Sequence, residues 1–406
     1  MSLPLDGIKV LDLGRIFAGP FATQALADLG AEVIKVERPD GRGDELRAYG
    51  PPFLRDSDGK DTAESAFYLS ANRNKKATAI DIATPRGQEL VRKLAAQSDV
   101  LVQNFKVGDL ERYGLDYESI RRIKPDIIYC SITGFGQTGP YAKMHGQDLM
   151  FQAMSGLMSL TGDPQGAPYR VGMAFSDIIS AMSAANAIMA ALYHRDAHGG
   201  RGQHIDISIL DATIAALSHR AMVYLVSGEA PGRLGNMTAA SFPAQNFRCA
   251  DGEIMLQASQ DAHFQRFCQA IGRPELAADP RFASRAPRYQ NRAEALKVIE
   301  PAMAEKTVAE WVGIFNAAQV MCAPINDLRQ AFDDPQVRHR GMRVEVPHDL
   351  AGAVPLVRTA AMMSETPLDR YTAPPRYGQH TREVLAQTLG LSPAEIDELF
   401  SAGVVA

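Results

Sequence analysis

The sequence predicts an α/β fold built on an open, mostly parallel sheet, and two observations carry this prediction. The first is a strand–helix–strand unit, in which an apolar run at 8–13, a helix-forming stretch ending at Gly30 and a second run, AEVIKVE, follow in order. Because such crossovers are right-handed, the two strands should lie parallel. The second observation is that the alternation continues to about residue 218, which is typical of doubly wound sheets.

The later elements follow the same logic. After the first unit we predict strands at 78–82, 99–103, 126–132 and 204–210. We predict helices at 85–98 and 211–218 and two apolar helical stretches at 149–160 and 177–195. Glycine, proline and arginine dominate residues 228–235, which indicates that the first domain ends there and a linker begins. Beyond it we predict a hairpin turning at Asp251–Gly252, helices to about Asn316, a proline-rich stretch from Pro335 and a last helix from about Thr381.

Composition and charge exclude several classes of function. The 406 residues carry 42 Lys and Arg against 47 Asp and Glu, a net charge of −5, so no basic excess is available to neutralise a nucleic-acid backbone. Four scattered cysteines without a C-x-x-C pair fit neither a disulfide framework nor a zinc site, and they indicate a cytoplasmic protein. The N-terminus does not read as a signal peptide, and the most apolar stretch, 178–193, is too short for a membrane span.

A glycine-rich motif follows the predicted strand at 126–132. Gly134, Gly136 and Gly139 match G-x-G-x-x-G, the fingerprint of dinucleotide binding. The residues after it are typical of a loop instead of a helix, and no acidic residue follows on a second strand. We therefore interpret the glycines as a bend that brings the backbone close to a ligand or a neighbouring element.

Three histidines lie close together, at 194, 198 and 204. His194 and His198 have the i, i+4 spacing of metal ligands on a helix. However, the segment is polar and glycine-rich and lies where a helix should end, a place where basic side chains are electrostatically favoured. We expect a solvated helix terminus there and no metal site.

Asp177 stands at the predicted start of an apolar helix. An aspartate there is most often a helix cap. The alternative is a carboxylate that is partly shielded from water, kept ionised by the helix dipole and available as a nucleophile. Spacing alone leaves both interpretations open. For Arg38, too, two interpretations stay open, a contact with a ligand and a surface ion pair with Glu37 or Asp40.

Several long blocks of the chain resemble the class III CoA-transferases, the CaiB/BaiF family of formyl-CoA transferase and carnitine CoA-transferase. In order they are PLDGIKVLDLGRIFAGPFATQALADLGAEVIKVERP, NRNKKATAIDIATPRGQEL, DVLVQNFKVGDLERYGLDYE, GRGQHIDISILDA and YGQHTREVLAQ. The resemblance implies a Rossmann-like large domain at 1–225, to which the C-terminal segment 335–406 returns. It also implies a smaller inserted α+β domain with its linker at 226–334, and a homodimer of interlocked rings.

The resemblance further implies the chemistry and its residues. Asp177, in VGMAFSD, matches the aspartate that attacks the acyl-CoA thioester, giving a mixed anhydride and later an aspartyl-CoA thioester. Coenzyme A is then a substrate, and no cofactor is permanently bound. The residues that match the family's CoA-binding positions are Phe17, Ala18, Arg38, Ile80, Asp81, Asn104, Phe105, Lys106, Arg112, His145, Gln147 and Asp148.

Two departures from family patterns bear on the substrate. Formyl-CoA transferases carry glutamine where this chain has Phe17, and a glycine-rich loop that GNMTAASFPAQNF lacks, so formyl-CoA is disfavoured. The related α-methylacyl-CoA racemases carry Gly-His-Asp where this chain has Gly-Gln-Asp at 146–148, and a glutamine cannot act as a base. We predict CoA transfer from an acyl-CoA, with succinyl-CoA as the expected donor, to a small dicarboxylate.

Two alternative functions stay open at this point. They are a racemase or epimerase of 2-methyl-branched acyl-CoA, and a CoA-binding protein without activity. The sequence also leaves open whether Arg47 or Arg170 binds the carboxylate of the acceptor.

Overall fold

The structure is a computed structural model that describes residues 2–406, and its contacts divide the chain into two compact units. The larger unit comprises the chain up to Leu157 together with Arg170–Glu229 and Arg340–Ala406. The smaller unit comprises Met158–Tyr169 and Ala230–His339.

The helices and strands of both units, in chain order, have the following bounds. The strands are Lys9–Asp12 (β1), Glu32–Glu37 (β2), Phe53–Arg55 (β3), Asp61–Ser65 (β4), Lys75–Ala79 (β5), Val100–Gln103 (β6), Ile128–Thr133 (β7), Gln203–Ser208 (β8), Ala244–Arg248 (β9), Glu253–Gln257 (β10), Met321–Pro324 (β11), Arg343–His348 (β12) and Gly352–Val357 (β13). The helices are Ala18–Asp28 (α1), Ala66–Ala71 (α2), Pro85–Ala96 (α3), Tyr117–Ile123 (α4), Asp148–Met154 (α5), Leu157–Leu160 (α6), Phe175–His198 (α7), Ile209–Ala216 (α8), His219–Ser227 (α9), Asp261–Ala270 (α10), Glu275–Ala278 (α11), Arg285–Gln290 (α12), Arg292–Met303 (α13), Val308–Ala317 (α14), Leu328–Asp333 (α15), Pro335–His339 (α16), Thr381–Glu383 (α17) and Pro393–Ser401 (α18).

The main sheet of the larger unit has six parallel strands in the order β5-β2-β1-β6-β7-β8. Numbered by their own sequence order, these strands run 3-2-1-4-5-6, the order of dinucleotide-binding folds. The prediction of a mixed α/β fold with a mostly parallel sheet is therefore confirmed. The direction of winding reverses between β1 and β6, and ligands of such sheets bind beyond the carboxyl ends of the strands at that point.

Side chains alternate across the sheet and so build two hydrophobic layers. On one face Val10, Val33 and Val102 pack in a cluster with apolar residues of α1 and α7. On the other face Leu11 and Leu101 pack with residues of α3, α4 and α18. The sheet is buried on both sides, which explains why its strands are nearly continuous apolar runs.

Helix α7 is the central helix of the first layer. Its buried residues include Ala181, Ala184 and Ile188, and the helix contacts α1, α8, β7 and β8. Among residues 2–406, α7 alone is by itself long and apolar enough to span a membrane, judged by length and composition. The pair α8 and α9 would also qualify if it were counted as one span despite the 82° bend between the two helices.

The smaller unit has its own core. Its antiparallel sheet has the order β11-β10-β9, and the side chains of Phe267, Trp311 and Phe315 fill the space between the sheet and the helices. The Trp311 indole donates a 2.8 Å hydrogen bond to the carbonyl of Met303. The β9–β10 hairpin turns at Asp251–Gly252 as predicted.

Three predicted elements differ from the structure. The strand expected at 78–82 lies three residues earlier, because Lys75 is a buried strand residue paired with Asp12 instead of a surface lysine. The apolar stretch 149–160 forms two helices, because Gly156 between them has φ +90°. The last helix, expected from Thr381, is interrupted by a π-helical turn and restarts as α18. The hairpins β3–β4 and β12–β13 were not predicted at all.

Candidate active site

The loops that follow β1 and β6 are joined at the point where the sheet reverses its winding. The backbone N–H of Arg15 donates a 2.8 Å hydrogen bond to the Asn104 side-chain oxygen. The Asn104 amide in turn donates a 2.6 Å bond to the Arg15 carbonyl. One asparagine therefore holds the two loops together where the fold favours a ligand.

The loop after β1 is held in an uncommon backbone conformation. Ile16 has φ +62°, which for a β-branched residue costs about 1–2 kcal/mol. Its N–H donates a 3.0 Å hydrogen bond to Asp44, whose other carboxylate oxygen lies 2.7 Å from the Lys35 ammonium. Lys35 also donates a 2.8 Å bond to the Gly14 carbonyl. This buried ion pair stabilises the loop at the mouth of the site.

A cavity of about 390 Å³ opens between these loops and α7. Nine of the residues predicted to serve catalysis or CoA binding line it, namely Phe17, Ala18, Asn104, Phe105, Lys106, His145, Gln147, Asp148 and Asp177. They come from four separate segments of the sequence, so the tertiary fold has brought them to one place.

The candidate nucleophile lies in the first turn of α7. The helix begins at Phe175 and its N-cap is Ala174, which offers no side-chain acceptor. The interpretation of Asp177 as the helix cap is wrong, because Asp148 supplies that carboxylate from α5. Asp148 accepts a 2.8 Å hydrogen bond from the Ser176 N–H and a 3.4 Å bond from the Asp177 N–H.

The carboxylate of Asp177 has no hydrogen-bond donor and no cationic partner within residues 2–406 of the structure. Burial, and secondly the negative charge of Asp148, raise the pKa of Asp177 from 3.8 to about 7. Asp177 is partly exposed to the cavity and unpaired, and acids whose pKa is perturbed in this way cluster at functional sites. Asp177 can therefore attack an electrophilic carbon placed in the cavity.

A second, smaller cavity of about 30 Å³ adjoins the first. Arg38 and Ile80 lie in its wall, while Arg15 and Phe105 line both cavities. The Arg38 guanidinium is 3.2 Å from Glu45, and its side chain is half exposed. Together the two cavities offer an elongated site with a cationic middle, which suits a long ligand that carries phosphates.

Two of the predicted CoA-binding residues lie outside both cavities. The Asp81 carboxylate accepts a hydrogen bond from the N–H of Ala83 in the turn before α3. Arg112 is exposed and its guanidinium lies 4.7 Å from the centre of the Tyr113 ring.

Arg15 lines both cavities but is not among the residues that the sequence predicted for CoA binding. Its guanidinium lies over the Phe105 ring at 4.4 Å, and its link to Glu45 is a long 3.4 Å. A cation in the loop directly after the first strand was the available signal. Arg47, by contrast, is buried in bonds to Glu37 and Tyr68, which favours a structural role for it.

These features describe an α/β protein with an unpaired carboxylate of raised pKa in a cavity at the switch point of its sheet. The chain belongs to CoA-transferase family III, whose family model matches residues 5–381. The resemblance inferred from the sequence blocks is confirmed, and the protein is a CoA-transferase.

Individual relatives are similar over nearly the whole chain. The succinate–glutarate CoA-transferase of Agrobacterium fabrum is 44% identical over 385 residues, 95% of either chain. The human succinyl-CoA:glutarate CoA-transferase is 41% identical over 99% of this chain and 90% of its own. The crystal structure of a CaiB/BaiF family protein from Brucella suis superposes with a TM-score of 0.88 at 40% identity, covering 95% of this chain and all of its own.

Proposed function

We propose that this enzyme transfers CoA from succinyl-CoA to glutarate or a closely related small dicarboxylate, with Asp177 as the nucleophile. The observation that carries the proposal is the Asp177 carboxylate, which lies in the main cavity without a donor or a cation to neutralise it. The substrate pair rests on the names of the relatives that are 40–44% identical over 95% or more of this chain.

In the first half-reaction, a carboxylate oxygen of Asp177 attacks the thioester carbon of succinyl-CoA. The carbon–sulfur bond breaks, CoA leaves as the thiolate, and a succinyl–aspartyl anhydride remains. The thiolate then attacks the side-chain carbonyl carbon of Asp177, the anhydride bond breaks, and succinate is released. Asp177 now carries CoA as a thioester.

The second half-reaction repeats these steps in reverse with the acceptor acid. A glutarate carboxylate attacks the aspartyl carbonyl carbon, the thiolate leaves, and a glutaryl–aspartyl anhydride forms. The thiolate attacks the glutaryl carbonyl carbon and releases glutaryl-CoA with an ionised Asp177. No step needs a permanently bound cofactor, and the activated acyl group survives only where water is excluded.

The cationic residues of the two cavities suit the phosphates of CoA. Arg15, Arg38 and Lys106 lie along the elongated site, and guanidinium and ammonium groups are the usual phosphate partners. In this orientation the adenosine end would lie at the surface beside Arg38 and Ile80, outside the small cavity itself, and the thioester would reach Asp177.

The substrate assignment is tested by mixing the enzyme with succinyl-CoA and a panel of carboxylic acids and by identifying new CoA thioesters by mass spectrometry. We expect glutaryl-CoA as the dominant product. Preferred transfer to oxalate or to a monocarboxylate would contradict the assignment, while leaving the role of Asp177 open to its own test.

The racemase alternative is disfavoured by Gln147, which lines the cavity where the racemases carry a histidine. A carboxamide has no titratable proton near neutral pH, so the second proton carrier is absent at that position. Deuterium incorporation at the α-carbon of a 2-methyl-branched acyl-CoA, in D2O without an acceptor acid, would instead support racemisation.

The rate of acyl transfer should rise with pH and reach half its maximum near pH 7, because Asp177, with a pKa of about 7, attacks only when ionised. Single-turnover formation of succinyl–enzyme between about pH 5 and 9 measures this dependence.

His145 is the matched control, because it is a second ionisable side chain in the wall of the same cavity. The variant His145→Gln should retain the dependence on pH. Its loss in that variant would assign the titration to His145 and contradict the raised pKa of Asp177.

The proposed homodimer is supported by α9, which exposes apolar side chains and has no buried residue. Leu225 is 70% exposed and Val226 80%. Exposed apolar patches of this kind mark protein interfaces. We propose that a second copy of the chain covers α9, in the interlocked arrangement that the family resemblance implies, and that the enzyme acts in the cytoplasm.

Replacing Leu225 and Val226 together by Glu should weaken the dimer at least about tenfold, because two charges would be buried against apolar surface. Sedimentation velocity over a range of concentrations measures this affinity. Gln88→Glu, a charge added on the exposed side of α3, should leave it unchanged. An unaltered dimer in the double variant would remove α9 from the interface.

A further inference from the structure

Gln152 is a fully buried amide on α5 that lies behind the cavity instead of lining it. Its Nε2 donates a 2.7 Å hydrogen bond to Asp148 and a 3.1 Å bond to the carbonyl of Met173. Its Oε1 accepts a 2.8 Å bond from the N–H of Val171. One side chain is therefore bonded to α5 and to the segment that leads into α7.

The Asp148 carboxylate extends these bonds to the helix that carries the nucleophile. One of its oxygens accepts from Gln152, and the other accepts from the N–H groups of Ser176 and Asp177. Gln152, Asp148 and the first turn of α7 thus form a continuous series of hydrogen bonds that ends at the backbone of Asp177.

Side-chain packing contributes little to holding the segment before α7. Met173 is 52% exposed, and Gly172 faces open space. Ala174 packs against the cluster around Phe17, and the two backbone bonds to Gln152 attach the residues before it to the buried part of the larger unit.

We propose that Gln152 is a positioning residue for catalysis, which holds Asp148 and the start of α7 so that the Asp177 carboxylate faces the thioester. The inference rests on the proposed role of Asp177 and adds a residue that no relative's name or family pattern assigned. A neutral amide is required there, because a carboxylate at 152 would repel Asp148, and an apolar side chain would leave the Val171 N–H without its acceptor.

The position of Asp148 also governs the ionisation of the nucleophile. The titratable or charged groups that line the cavity with Asp177 are Asp148, His145, Lys106, Arg15 and Tyr49. Of these, Asp148 is bonded to the backbone of Asp177 itself and raises the pKa of that residue together with burial. When Asp148 is no longer held in place and water enters, the pKa of Asp177 should fall.

The test compares Gln152→Met, which keeps side-chain length and removes all three hydrogen bonds, with Gln24→Met. Gln24 is the matched control, since it is 2% exposed and its amide also bonds two backbone groups, the Ser70 carbonyl and the Arg73 N–H, both away from Asp177. Both variants are studied as the full-length enzyme, with the rate and pH dependence of single-turnover acyl transfer as readouts.

We expect Q152M to lower kcat by roughly 10–100-fold while KM for acyl-CoA changes less than about threefold, since binding is retained and orientation is lost. The half-maximal pH should move down by about half a unit or more. Q24M should lose thermal stability with a normal rate and pH profile. A Q152M enzyme with wild-type kcat and pH profile, or one that merely resembles Q24M, would overturn the proposal.

Asp148→Asn provides a second measurement should Q152M fail to fold. It keeps an oxygen for the Ser176 N–H but places an NH2 group against the Gln152 amide, so it breaks the same contact. Because this variant also removes the Asp148 charge, which by itself lowers the half-maximal pH, the deciding readout is kcat. A reduced kcat at saturating pH supports the proposal, and a wild-type kcat there refutes it. A failure of the proposed function is distinguishable, because the wild type would then form no acyl adduct on Asp177.

Discussion

Replacing Asp177 by Asn should reduce CoA transfer roughly 10³-fold or more, because the carboxamide cannot form the anhydride on which both half-reactions depend. Asparagine has nearly the same shape, so the cavity and the bond from the residue's N–H to Asp148 should persist. The initial rate of glutaryl-CoA formation measures the effect. Wild-type turnover by D177N would rule out covalent catalysis by this residue.

The covalent intermediate itself can be trapped. Hydroxylamine added to wild-type enzyme with succinyl-CoA should convert the activated Asp177 carbonyl into a hydroxamate, located by peptide mass spectrometry. D177N should yield none. A hydroxamate on another residue would move the nucleophile elsewhere in the cavity, and His145→Gln serves as a variant that alters the cavity without removing the carboxylate.

The stability of D177N separates chemistry from unfolding. The pKa of Asp177 is about 7 in the folded state against 3.8 without burial. The native protein therefore retains a proton that the unfolded chain loses, and its stability falls as the pH rises from about 4 to 7. At pH 8 the cost is roughly 2–4 kcal/mol. D177N should match the wild type at low pH and melt a few degrees higher at pH 8.

Replacing Asp44 by Ala should destabilise the larger unit by about 3–5 kcal/mol, because it leaves the Lys35 ammonium buried without its 2.7 Å partner. The Ile16 N–H also loses its acceptor, so the loop at the mouth of the cavity should relax from its left-handed backbone conformation. Chemical denaturation measures the first effect. A raised KM for acyl-CoA in the folded fraction measures the second.

Two controls identify the cause of that loss. Asp40→Asn removes an exposed carboxylate 3.8 Å from Arg38 and should change the stability little. The double variant Lys35→Met, Asp44→Leu should recover much of the stability, because an apolar pair has no charge to desolvate. A double variant as unstable as D44A would show that lost packing, and not an unpaired charge, was responsible.

Much of the large domain could be predicted from local pattern. Local signals within about thirty residues predict the first unit. They are the apolar run at 8–13, the stop signal at Gly30 that ends the helix, and the apolar strand after it. The family resemblance placed Asn104, in one of the long blocks, and Asp177, in VGMAFSD, in one predicted site. Lys75 could not be placed correctly, because a buried lysine is recognisable only when its partner Asp12 is adjacent in space.

The sequence by itself predicted the alternating α/β order from local periodicity, and its resemblance to a family, carried by blocks of consecutive residues, predicted one candidate aspartate. The tertiary structure alone decided that Asp148 caps the helix of Asp177, that Gln152 holds both in place, and that the pKa of the nucleophile is raised. Those properties arise from distance and from exclusion of water between segments about twenty or more residues apart, which no local pattern encodes.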